Sequence, residues 1–237
     1  MYKVKRAIIM AAGKGTRMRP ISLTTPKPMI KVNGKRMIET IIEALHENDI
    51  YEIYIVVGYL KDKFNLLLKK YKGITLIENP YYDVYNNISS LYVARDYLED
   101  SIILDGDQII YNSNILRKDF LRSGYNCVWS EMHTNEWLLH VENDIIKTCS
   151  RTGGKKGWQL YSISRWTKED AKKLKKHIEI EFEIHKNRQI YWDDVALFCY
   201  PEEYQLGIME MNQDDIIEVD NFEELVQLDQ SYLKGGI

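Results

Sequence analysis

The chain has 237 residues, 45% hydrophobic and 28% charged, with a formal net charge of −3. That length supports one sizeable α/β domain over 1–237, and no Pro/Gly/Ser-rich linker, low-complexity run or internal repeat divides it. The near-balanced charge gives no global attraction for nucleic acid or an anionic membrane, so neither is an expected partner and any anion site must be a local cluster.

The first predicted element is a strand over Ala7 to Met10, extended by Ala11 and Ala12, whose uncharged residues suit burial on both faces. Lys3-Val4-Lys5-Arg6 ahead of it gives a superficial look of a signal peptide, but the apolar run is too short and Gly13-Lys14 interrupts it. Gly13 and Gly15 let backbone N–H groups approach phosphate oxygens without a Cβ in the way, and Arg17, Arg19 and Lys27 supply counter-charge. The stretch reads as a triphosphate cradle. It is neither of the two commoner phosphate motifs: the P-loop needs Gly where Ile8 stands and Ser or Thr where Gly15 stands, and the dinucleotide fingerprint needs Gly at Met18.

Farther along, an amphipathic helix is predicted from Met37 to His46, with Ile38, Ile41, Ile42 and Leu45 on one face. Ile53–Val57, Ile74–Ile77 and Ile102–Leu104 read as strands, with further helices near Asp62–Tyr71 and Ser90–Leu98. Right-handed crossovers turn this order into a doubly wound, mostly parallel sheet whose ligands collect at the carboxyl ends of the strands. Gly13 to Arg19, Gly58-Tyr59 and Asp105-Gly106-Asp107 all follow strands and should converge there. The second half, with short alternating segments at Cys127–Met132, Trp137–Val141, Ile145–Cys149 and Trp158–Ile163, is expected to add antiparallel strands that carry a second substrate. A helix begins at Thr167 with a capping pattern to Asp170, and its Lys172–Lys176 run reads as a solvated face; a last helix is expected from Asn221 to Leu233.

Three cysteines, Cys127, Cys149 and Cys199, are odd in number and widely spaced, which suits buried free thiols in a reducing cytoplasm better than disulfides or zinc ligands. The five histidines have no metal-ligand spacing and are assigned no role.

The loop Ala11-Ala12-Gly13-Lys14-Gly15-Thr16-Arg17 with Pro20 and the following Pro26-Lys27-Pro28 resembles the signature of nucleotidyltransferases that join a nucleoside triphosphate to a phosphorylated small molecule. Tyr85-Asn86-Asn87-Ile88-Ser89-Ser90-Leu91-Tyr92, Thr134-Asn135-Glu136-Trp137, Tyr191-Trp192-Asp193-Asp194 and Ile217-Glu218-Val219-Asp220 further resemble the bacterial CTP:phosphocholine cytidylyltransferases. The resemblance implies a Rossmann-like nucleotidyltransferase fold, and CTP and a small phosphorylated amine as substrates. It also implies attack of a phosphomonoester oxygen on the α-phosphorus with release of pyrophosphate.

By the same resemblance, Arg17 grips the β,γ-phosphates, Lys27 the α-phosphate, and Asp107 and Asp220 hold Mg²⁺, with Asp105 as a weaker neighbour. Read on their own, Asp107 could be a turn residue and Asp220 an N-cap before Glu223. Asn86, Asn87 and Ser90 offer donors and acceptors for the base or ribose, or else cap a helix. Trp137 beside Glu136, and Tyr191-Trp192 beside Asp193, suit a methylated ammonium, which binds against aromatic faces with carboxylates nearby; the alternative is that the rings are core. Glu218 could face the same pocket, and Lys155 or Lys156 could add charge there. Ser130, where the family tends to have Arg, and Asp194, where it has Asn, depart from the pattern and leave open a primary-amine acceptor such as 2-aminoethylphosphonate or phosphoethanolamine. A sugar phosphate, or a silent nucleotide-binding module, is the remoter alternative.

Overall fold

The computed structural model describes residues 1–234. Four parallel strands, β1 (Arg6–Ala11), β2 (Glu52–Val57), β3 (Ile74–Glu78) and β4 (Ser101–Asp105), lie in the order β3–β2–β1–β4. Both faces of β1 are covered, as its apolar run requires: Ala7, Ile9 and Ala11 pack with Ile38, Ile41, Ile42 and Leu45, whereas Ile8 and Met10 pack with Leu91 and Ala94. The first group lies on α1 (Met37–Glu47). The second lies on α3 (Ile88–Ala94), with the short α2 (Asn65–Lys70) between them in the chain. The chain runs outward from β1 to β3 and then returns to β4, so the strand order reverses between β1 and β4. A doubly wound sheet opens a crevice at that point. The loops after β2 and β4 are pinned to the end of β1, through Tyr59 N to Ala12 O (3.0 Å) and Gly106 N to Met10 O (2.9 Å).

The second half contributes β5 (Gly124–Ser130), β6 (Leu138–Glu142), β7 (Ile145–Ser150), β8 (Gly157–Trp166) and β9 (Gly207–Glu210). β8 joins them to the first half by antiparallel pairing with β4, and it also pairs with β5 and β6. These additions are antiparallel as expected, with one exception: β9 lies parallel to β5. It returns after α4 (Lys168–Glu179) and the π-helical turns at Ile180–Ile184 and Val195–Cys199, a crossover long enough to restore the direction of β5. With β9 also meeting β7 at Ile145, the five strands form a closed circuit of pairings.

Some boundaries differ from the sequence expectation. The helix expected over 62–71 opens as a 3₁₀ turn, Lys61–Phe64, and the one expected over 90–98 starts earlier at Ile88 and closes in a 3₁₀ turn, Arg95–Tyr97. The last helix is broken into α5 (Phe222–Leu228) and a turn at Ser231–Lys234, because Asp229 uses its carboxylate on the backbone N–H groups of Asn33 (2.8 Å) and Ser231 (3.0 Å). Thr167 caps α4 as expected, accepting from Asp170 N. Of the three free cysteines only Cys127 is fully buried. Among the described residues no helix is long and apolar enough to cross a membrane.

Asn79, directly after β3 and 1% exposed, fixes the start of α3. Its amide donates to Ser89 Oγ (2.9 Å) and Ser90 Oγ (3.0 Å) and its carbonyl accepts from Tyr81 N (2.9 Å). Ser89 Oγ keeps its bond to Asn86 O (2.8 Å), so Asn79→Ala leaves the Ser90 hydroxyl and the Tyr81 N–H short of a partner, at about 1–2 kcal/mol each. We expect a loss of roughly 2–4 kcal/mol, a fall in Tm of about 5–15 °C at the size of this chain, checked by thermal unfolding.

Candidate active site

Two clefts open at the carboxyl ends of β1 and β4, one of about 320 Å³ and one of about 270 Å³, and they share a wall of Arg17, Asn87, Asp105, Asp107 and Asp220. Ala11, Ala12, Gly13, Gly15, Thr16 and Lys27 line the first, together with Ser90. Gly15 is in the left-handed region (φ 57°), and a Cβ there would stand 2.9 Å from Lys27 Cβ, so the glycine lets the loop close over the lysine.

At the shared wall lies a chain of ion pairs. Lys27 Nζ donates to Asp107 Oδ2 (2.5 Å) and Asp220 Oδ1 (3.2 Å), and Arg17 Nη2 donates to the same Asp220 oxygen (2.9 Å). Burial alone would lower the Lys27 ammonium, but the Asp107 and Asp220 carboxylates outweigh it and leave its pKa raised. A short antiparallel ladder brings the two distant acids together, Gln108–Ile110 against Ile216–Glu218, with Val219 N reaching Asp107 O. Asn221, accepting from Glu224 N, caps α5. The N-cap reading of Asp220 is therefore ruled out, and its carboxylate faces the cleft.

The second cleft is acidic and aromatic, with Glu136, Asp193 and Glu218 on its walls beside Trp137 and Tyr191. The two rings meet edge to face, 5.8 Å apart at 90°. Glu218 Oε1 accepts from the buried Gln108 (2.7 Å), and burial pushes its carboxyl up to about 7. Burial likewise pushes Asp193 up to about 8, and its Oδ1 has no hydrogen-bond partner. Asp105, between the clefts, is raised well above the usual carboxylate range by burial and by Asp107.

Several sequence-predicted residues lie elsewhere. Trp192 is fully buried against Tyr125 and Trp166 rather than in the cleft, because it opens a helical turn whose inward side is core. Its backbone N–H donates to Asn87 Oδ1 (2.9 Å) and so holds that side chain at the site. Asn86 is turned away, its amide donating to Gln189 O (3.1 Å). Lys14 pairs with Asp83 outside the cleft. Lys155 is exposed and Lys156 lines a separate hollow with Trp129 and Trp158. Ser130 Oγ donates to Met132 O in a turn (3.0 Å), and Asp194 is buried against Arg151. Sequence reasoning missed Gln108 and Ser162; the only signal for Gln108 was its place directly after Asp107.

Comparison with known proteins places the chain in a family and confirms its fold. A sequence profile of the nucleotidyl transferase family matches residues 6–121. The chain is 37% identical to a 2-aminoethylphosphonate cytidylyltransferase of Lancefieldella rimae, over 96% of this chain and 93% of that protein. It is 36% identical to a choline-phosphate cytidylyltransferase of Streptococcus pneumoniae, over 95% and 97%. The chain belongs to the nucleotidyltransferase family. The solved structure of the CTP:phosphocholine cytidylyltransferase from Streptococcus pneumoniae superposes with a TM-score of 0.89 at 35% identity, covering 97% of this chain and 99% of that one. This nucleotidyltransferase therefore has the expected fold.

The Asp193 carboxyl gives a signed pH dependence. Its pKa rises from an ordinary 3.8 to about 8 on folding, so between those values the folded state holds a proton that the unfolded state has lost, and stability falls as pH rises through the window. Asp193→Asn removes that slope. Its Tm relative to wild type should be near zero at pH 4 and should climb to about 5 °C or more above pH 8; a flat difference across the window would show that this carboxyl is not buried neutral.

Proposed function

We propose that this nucleotidyltransferase transfers the cytidylyl group of CTP to phosphocholine, releasing pyrophosphate. The observation that carries the reading is the perpendicular Trp137–Tyr191 corner beside Glu136, Asp193 and Glu218, opening on the same wall as the phosphate cradle. A trimethylammonium has no N–H donors and binds aromatic faces and nearby carboxylates, which is what this corner offers. The likeness to the pneumococcal enzyme and to the Lancefieldella rimae enzyme, each over nearly the whole chain, supports cytidylyl transfer to a small phosphorylated or phosphonate amine, and the choice of phosphocholine rests on the aromatic corner.

The nucleotide lies along the loop after β1, with its phosphates against the backbone at Gly13 and Gly15. Lys27 holds the α-phosphate from the cleft floor, and Arg17, with 67% of its side chain exposed, takes the β,γ-phosphates at the mouth. Ser90 Oγ already accepts from Asn79, which leaves its own proton to donate to an acceptor on the pyrimidine ring. Asp107 and Asp220 fit Mg²⁺: their oxygens already converge on one cationic nitrogen, and two carboxylates with phosphate oxygens make a usual set for this ion. Bound there, the ion would neutralise charge on the triphosphate and the acceptor phosphate. The amine, held at Trp137 and Tyr191, directs its phosphate oxygen across the shared wall toward the α-phosphorus. Positioning and charge neutralisation then supply the acceleration without a covalent intermediate.

A second reading has its own observation. The carboxyls of Glu136, Asp193 and Glu218 on the walls of this cleft are acceptors that a primary ammonium could use and a trimethylammonium could not, which favours 2-aminoethylphosphonate or phosphoethanolamine. Pyrophosphate release with CTP and each of the three acceptors separates the readings; a kcat/KM for phosphocholine below that for either primary amine overturns the first.

Asp107→Ala and Asp220→Ala should each cut magnesium-dependent turnover by about 10³-fold or more with the circular dichroism spectrum unchanged. Near wild-type turnover of folded Asp220→Ala at saturating substrates would remove it from the chemistry. On the acceptor side, a desolvated cation–π contact contributes about 2 kcal/mol, so Trp137→Leu and Tyr191→Leu should each lower kcat/KM for phosphocholine by roughly 10- to 30-fold with KM for CTP nearly unchanged. Trp192→Leu should instead lower Tm, since its ring is core.

A further inference from the structure

The turn after β7 carries a cation that the proposed chemistry does not use. Arg151 donates through Nε (2.9 Å) and Nη2 (2.5 Å) to Asp194 Oδ1. The other oxygen of that carboxylate accepts from Tyr191 N (2.9 Å), and Asp194 N donates back to Tyr191 O (3.1 Å). The guanidinium also lies over the Phe198 ring, 3.7 Å from its centroid, and 5.7 Å from that of Trp137. Phe198 in turn meets Trp137 edge to face at 5.5 Å. One planar group thus bears on both rings of the acceptor corner, though Trp137 precedes β6 and Tyr191 lies in the crossover to β9.

We propose that Arg151 is a positioning residue that sets the acceptor corner, holding Tyr191 through Asp194 and Trp137 through Phe198. This rests on reading the second cleft as the acceptor site. The pair is asymmetric: the Asp194 side chain is 4% exposed and that of Arg151 48%. Among the described residues Arg151 is the cation paired with Asp194, so its removal leaves a buried carboxylate uncompensated. The carboxylate must then find water, and the Tyr191 backbone loses its anchor. Lysine would restore charge, but neither the two-pronged contact with Asp194 nor the flat stack on Phe198.

The test compares Arg151→Gln, Arg151→Lys and the double variant Arg151→Gln/Asp194→Asn with wild type, as full chains. Arg151→Gln should raise KM for phosphocholine about 10-fold while KM for CTP stays within about 2-fold and kcat within about 3-fold, with Arg151→Lys intermediate. Hydrogen exchange at the Tyr191 amide should accelerate at least tenfold, with the amides of β1 and β2 unchanged, and the double variant should recover much of the protection because no charge is stranded. Unchanged exchange at Tyr191 overturns the proposal, as does an equal rise in both KM values. If wild type turns over none of the phosphorylated amines, the acceptor reading has failed. The exchange data then decide the role of Arg151 alone.

Discussion

The chain of charges Arg17–Asp220–Lys27–Asp107 is the constraint on which the rest of the site depends. Its members come from four separate segments. Burial grades their strength. Lys27 has only 10% of its side chain exposed and holds two carboxylates in a low-dielectric floor, where an unpaired charge would cost several kcal/mol. Arg17, two-thirds exposed, makes a surface pair of the kind that contributes about 0–1 kcal/mol. On the proposed reading, the weakly held outer cation turns readily to an arriving phosphate, whereas the inner one stays on the cleft floor.

The fold delivers those four groups by two devices that do different work. Reversal of strand order between β1 and β4 opens the crevice and places the Gly13–Gly15 loop and Asp105–Asp107 side by side. The ladder between Gln108–Ile110 and Ile216–Glu218 then carries Asp220 back across the crevice mouth, with Glu218 Oε1 fixed by Gln108 on its way. Because β8 is antiparallel to β4, the second-half strands stand against the same end of the sheet. The two clefts meet at a common wall instead of lying on separate units.

What was legible in the sequence was what depends on local pattern. The buried run of β1, the amphipathic spacing of α1, the glycines and cations of the loop and the Thr167 cap are set by neighbours within a few residues. Asp107 and Asp220 could be named individually, but their meeting depends on a pairing across more than a hundred residues that no periodicity announces. Trp192 shows the opposite failure: adjacent residues Tyr191 and Trp192 look equally suited to a cage, and a single helical turn sends one to the cleft and the other into the core. For the turn after β7, attention to Lys155 and Lys156 missed Arg151, because a lysine in a Gly-rich turn and an arginine stacked on a ring look alike until the ring is placed.

The distribution of charge between the clefts follows from where the arginine is held. The phosphate side keeps Arg17 and Lys27; the other side keeps Glu136, Asp193 and Glu218 with no cation among its lining residues apart from Arg17 at the shared wall. Burial pushes Glu218 to about 7 and Asp193 to about 8, so near neutral pH this pocket is partly protonated when empty, which spares it much of the repulsion that three close carboxylates would otherwise carry. On the proposed reading, a cationic acceptor group entering it would displace those protons and gain the full anionic field. Had the guanidinium of Arg151 pointed inward, it would have paired with these acids and occupied the place of the amine. Asp194 fixes the Arg151 guanidinium behind the aromatic corner, where it lies over Phe198 and near Trp137 and does not line the acidic cleft.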